Sequence, residues 1–170
     1  MSRQVNLREF QQYLNQRFAA AEGQPLANSL LAFEAGASRW LISLHDAGGI
    51  EPCPTLYPVP LTKPSLLGVA NVRGKVYAVT DWSIFLGGFP TPRDANARLL
   101  LLGQKHKHNA ALLISRALGL CKSSDYTVQA APKEYSAWCE HAFTDKHGEL
   151  WYLLSVPKLL LAPTFLHVGS

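Results

Sequence analysis

Hydrophobic positions recur along this chain in two rhythms. Between residues 6 and 22, Leu7, Phe10, Leu14 and Phe18 stand three, four and four apart, which is one face of an α-helix. Asn6 occupies an N-cap position with Glu9 three residues on, and Gly23 and Pro25 end the segment. Its apolar face either docks on the rest of the chain or meets a partner helix or a second copy. From residue 28 the rhythm shortens to strands. Runs at 29–34 and 39–44 flank Ala35-Gly36-Ala37-Ser38, a hairpin signal. The pattern breaks at 45–49. Then Pro52, Pro54, Pro58, Pro60 and Pro64 predict an extended segment wrapped on the surface, because proline fixes φ and removes donors.

The run 69–72 is too short for a helix. Arg73-Gly74 marks a turn, and 75–80 is rich in β-formers and reads as the return strand. Asp81 can cap one helical turn over 82–86, which Gly87-Gly88 ends. The unit is therefore strand, tight turn, strand, short helix, with a guanidinium at the turn. Its planar fork suits bidentate contact with a carboxylate or carbonyls. Asn71 is placed to brace the turn through backbone groups. Gly68 and Gly74 serve its geometry.

Further strands are expected at 98–102 and 110–114, around a polar loop at 103–109. Weaker ones follow at 118–121 and 126–129, then a hairpin over 142–155. Pro157 suits the first turn of a helix over 158–161. A Gly turn, a strand and a short helix thus occur twice, at 73–86 and 146–161. Many short strands and this echo predict two small β-barrels sharing a core.

Composition narrows the class. With 170 residues, 48% hydrophobic and 16% charged, the chain should fold around a real core. No apolar stretch is long enough to span a bilayer, and the polar N-terminus lacks a signal-peptide pattern, so a cytoplasmic location is expected. Three irregularly spaced cysteines, Cys53, Cys121 and Cys139, fit reduced thiols. No phosphate-cradling loop is present. His106-x-His108 and Cys139-x-His141 are the right types for a metal, since strand residues two apart share a face, but they lack zinc-finger spacing. No cofactor or metal is expected. The net charge of +4, with Arg93, Arg98, Lys105 and Lys107 close in sequence, permits phosphate contact. No aromatic interrupts that cluster for stacking. A small basic β-barrel that binds nucleic acid stands as the alternative function.

Gly68-Val69-Ala70-Asn71-Val72-Arg73-Gly74, followed by a strand ending at Asp81, resembles the centre of the CheW family, the coupling proteins of bacterial chemosensory arrays. The wording is most similar to the variant serving type IV pili and twitching motility. The resemblance implies a mainly β fold of two SH3-like barrels sharing a hydrophobic core, here with an N-terminal helix and one-turn helices. It implies a helical extension at 1–27, a CheW-like domain at 28–165 divided at about residue 92 with strand exchange allowed, and a tail at 166–170. It further implies a non-catalytic adaptor between the cytoplasmic tip of a methyl-accepting chemoreceptor and the regulatory domain of a CheA-like histidine kinase. Neither nucleic-acid binding nor membrane insertion is implied. Partner-binding residues are then Arg73, Asn71, Gly68, Val69, Val72 and Leu67, with Ile114 and Leu118 across a groove. Gly74 and Asp81 hold the turn and the cap. The family's charged stretch before Ile is replaced here by Asp46-Ala47-Gly48-Gly49-Ile50.

Overall fold

A computed structural model describes residues 29–103, 105 and 108–166. The helix expected over 6–22 lies outside these residues. Strands β1 (Ser29–Ala35), β2 (Ser38–Ser43), β8 (Arg116–Lys122), β9 (Thr127–Gln129), β10 (Cys139–Thr144) and β11 (Leu150–Leu154) form one sheet, in the order β8-β1-β2-β11-β10-β9. Strands β3 (Ala47–Pro52), β4 (Leu66–Val72), β5 (Lys75–Asp81), β6 (Arg98–Leu102) and β7 (Ala110–Ile114) form the other, in the order β3-β6-β7-β5-β4. Short helices α1 (Trp82–Phe85), α2 (Val156–Leu161) and α3 (Pro163–Leu166) complete the described elements.

Period-two alternation sorts the side chains into three apolar layers. Leu31, Phe33, Trp40, Ile42 and Leu154 of the first sheet meet Ile50, Leu100, Leu102, Leu112 and Ile114 of the second in one shared core. The intervening residues face the other way. Leu30, Ala32, Leu41, Phe143 and Trp151 cluster on the far face of the first sheet. Ala70, Val72, Tyr77, Val79, Leu99 and Leu113 do so on that of the second. Trp40 and Trp82 are fully buried and meet edge to face at 5.2 Å. Such a pair contributes about 0.5–1.5 kcal/mol beyond its buried area.

The shared core matches the expectation, but the closed barrels do not form. No ladder joins β8 to β9, or β3 to β4, so both sheets stay open. The expected break at 45–49 is also corrected, because β3 begins inside it. The register shifts between Ala47 and Gly49, and a Cβ on Gly48 would stand 2.7 Å from Leu102 O. These glycines form a bulge pressed onto β6, which a pattern-based reading takes for a loop.

The sequence echo has a structural counterpart. Hairpin β4–β5 runs into α1, capped by Asp81, and hairpin β10–β11 runs into α2, capped by Ser155. Each return strand also makes its sheet's parallel pairing, β5 with β7 and β11 with β2.

Candidate partner-binding site

Val72 pairs with Lys75, so Arg73-Gly74 is a two-residue hairpin loop. Both residues have positive φ, +52° for Arg73 and +82° for Gly74. This is the backbone of a type I′ turn, whose twist matches that of the flanking strands. Asn71 Oδ1 accepts a hydrogen bond from Gly74 N at 3.0 Å and braces the loop. Arg73 therefore sits in a left-handed conformation that a side chain rarely adopts.

Its guanidinium is 66% exposed yet engaged, with Nη2 at 2.7 Å from Oε1 of Glu51, itself 15% exposed. Glu51 lies in β3, at the opposite edge of the sheet from β4. The ion pair thus draws together two rims that no backbone ladder joins. Sequence reasoning missed this partner, because a contact between residues on non-adjacent strands leaves no local signal.

The proline-rich segment makes a second tie across the same gap. Tyr57 forms an antiparallel bridge with Val69, with both N–H···O distances 2.9 Å. Gly68 is what lets the segment approach. It has φ +136°, and a Cβ there would stand 2.7 Å from Tyr57 C and 2.9 Å from Pro58 Cα. This residue spaces backbone against backbone.

The expected groove residues do not all come together. Val69 is half-buried on the hairpin, Val72 is buried in the second sheet's own cluster, and Leu67 packs against that cluster. Ile114 lies in the shared core, and Leu118 is exposed on β8. A cleft of about 640 Å³ opens elsewhere, lined by Ala37 and Arg39 of the β1–β2 hairpin, Leu86 and Gly88 after α1, and the rings of Tyr135 and Tyr152. Arg39 forms an ion pair with Glu149, which also lines the cleft.

Asp81 is buried and does more than cap α1. Oδ1 accepts from Ser83 N, Ile84 N and Thr91 Oγ1, and Oδ2 accepts from Thr91 N at 2.8 Å. The carboxylate fastens the loop after α1 to the end of β5.

Residues 29–163 match the family model described as the CheW-like domain. The chain belongs to the CheW-like domain family. With that membership comes the coarse role, a scaffold in chemosensory signalling. This CheW-like chain is similar in fold to a solved structure, "Crystal structure of scaffolding protein TtCheW from Thermoanaerobacter tengcongensis". The two share 14% identity at a TM-score of 0.64, over 76% of this chain and 89% of that one. No curated protein matches it.

Other chemistry finds little support in the CheW-like fold. A β-bulge between Cys139 and His141 breaks the shared face, leaving Cys139 buried and His141 exposed. Burial pushes the Cys139 thiol up to about 11, and it donates to His141 O at 3.2 Å. Among the described residues, no three His, Cys, Asp or Glu side chains gather. Two members of the basic cluster are engaged within the chain. Arg98 is buried and donates to Ala95 O and Ala97 O, and Lys105 pairs with Asp46 at 3.0 Å. The described residues therefore do not favour a phosphate-binding face. No described helix is long and apolar enough to cross a membrane.

Proposed function

We propose that this CheW-like chain is a non-catalytic cytoplasmic adaptor that couples a chemoreceptor to a histidine kinase. One partner is the cytoplasmic tip of a methyl-accepting receptor, and the other is the regulatory domain of a CheA-like kinase. The pathway is the one controlling type IV pili and twitching motility, a reading supported by the wording from Gly68 to Gly74. Arg73 is the contact that matters most.

The observation that carries this reading is the Arg73 turn. A two-residue loop at the end of paired strands, braced by Asn71 and tied to Glu51, holds a half-engaged guanidinium at the surface. A preorganised fork loses little freedom on meeting a partner's carboxylate or carbonyls. The test is co-purification of the chain with receptor tip and kinase domain, comparing wild type with Arg73→Glu. Because Arg73→Glu also sets a carboxylate against Glu51, the exchange Arg73→Glu with Glu51→Arg is the needed control. Receptor capture should fail in both variants while both remain folded. Capture equal to wild type by folded Arg73→Glu would remove Arg73 from the site.

A further inference from the structure

The proline-rich segment between β3 and β4 does more than cross a gap. It exposes three large apolar side chains, Tyr57, Val59 and Leu61, with Leu61 85% exposed. Leu61 also has φ +60°, which branched and bulky side chains avoid. Thr62 Oγ1 donates to Val59 O and holds this turn closed. A leucine kept both strained and in water is the reverse of what stability alone selects, and such outliers cluster at recognition sites.

The surface continues onto the hairpin. Tyr57 is paired with Val69 and so lies beside it, while Val76 stands exposed on β5 opposite Asn71. Proline at positions 58 and 60 supplies no N–H, so the segment is a poor template for an added strand. Its affinity must come from side chains. The charge is one-sided as well. Between Glu51 and Asp81 the sequence carries Lys63, Arg73 and Lys75 and no acidic residue; Glu51 offsets part of the Arg73 charge, Lys63 Nζ donates to Thr164 O at 3.4 Å, and Lys75 stands exposed next to Val76.

We infer that the ridge of Tyr57, Val59 and Leu61, with Val76 and the cations around it, is a docking surface for an acidic amphipathic helix of a partner protein. Apolar residues at helical spacing on that helix meet Leu61, Tyr57 and Val76, and its acidic flanks face Lys75 and the exposed part of the Arg73 guanidinium. The inference deepens the adaptor reading and rests on it only for the existence of a protein partner.

The test uses the full chain and two synthetic 21-residue helices with the same leucine stripe, one flanked by glutamates and one by lysines. The glutamate helix should bind at least tenfold tighter at low salt, and added salt should weaken it. Leu61→Asn, which suits the left-handed backbone, and Val76→Thr, which keeps the strand, should each weaken it at least fivefold. Neither should lower the melting temperature by more than a few degrees. Equal binding of the two helices, or full binding by folded Leu61→Asn, overturns the inference. The receptor tip and kinase domain are titrated in parallel. If neither binds wild type, the adaptor reading falls whatever the helices do. If both bind wild type and Leu61→Asn equally, the ridge falls and the adaptor reading stands.

Discussion

Replacing Arg73 with asparagine separates what the arginine does for the fold from what it does for a partner. Holding Arg73 at φ +52° costs about 1–2 kcal/mol relative to a residue at ease there. Its pair with Glu51, 66% and 15% exposed, returns about 0.5–1.5 kcal/mol, between an open surface pair and a shielded charged hydrogen bond. Arg73→Asn gives up the second term and recovers most of the first, because Asn-Gly is the preferred type I′ pair. The two nearly cancel, so stability should change by less than about 1 kcal/mol, or roughly 2–4 °C in melting temperature. Binding has no such offset. Losing a desolvated charged contact costs about 2–5 kcal/mol, at least about thirtyfold in Kd. Thermal melts and calorimetric titration of the receptor tip read the two quantities separately. An Arg73→Asn protein with wild-type melting and wild-type affinity would show that the guanidinium only ties β3 to the hairpin.

Other substitutions probe the supports. Gly68→Ala should drive the proline segment off β4 and lower stability by about 2 kcal/mol or more, visible in urea melts and faster proteolysis after Pro52. Asp81→Ala removes an acceptor serving four donors and should cost about 3–5 kcal/mol, with Asp81→Asn costing less. Asp145 accepts from Trp151 Nε1 at 3.1 Å and from the backbone of the turn that follows, and these bonds hold its carboxyl below the usual carboxylate range. A depressed carboxylate stabilises the fold above its ordinary range and loses that contribution as pH falls through the folded value. Trp151 fluorescence should therefore titrate below the usual carboxylate range in wild type, and Asp145→Asn should abolish that transition. The Cys139 thiol should react more slowly with a thiol reagent at pH 8 than an unhindered cysteine, since burial raises it to about 11.

Features written in adjacent residues were legible. The β4–β5 hairpin, the Asp81 cap and the strands at 98–102 and 110–114 each follow from local turn chemistry or an apolar run. The shared core followed from many short strands. What escaped was written in residues far apart. Glu51 with Arg73, Tyr57 with Gly68 and Asp81 with Thr91 are meetings between segments whose neighbours carry no mark of them. The double glycine at 48–49 misled, because a bulge and a loop use the same residues. Of the residues expected to line a groove, Val69, Val72 and Leu67 with Ile114 and Leu118, Val72 and Ile114 fall in different cores, because alternation fixes which residues share a face but not which face meets water. Pairing was the least legible, since the parallel contacts of β5 with β7 and β11 with β2 span long stretches of chain.

The order in which the two sheets are written has a consequence for biosynthesis. All five strands of the second sheet lie between residues 47 and 114, so that sheet can assemble as soon as β7 leaves the ribosome. In the first sheet β1 and β2 come before all of these, while their flanking strands come after them, β8 directly behind β7 and β11 some thirty residues later. Two greasy hairpin strands are thus made early and wait with open edges, β1 until β8 emerges and β2 until β11 does. Closing that long loop should be the slow event of folding, and a stalled or truncated chain would present β1 and β2 to chaperones and to other nascent copies.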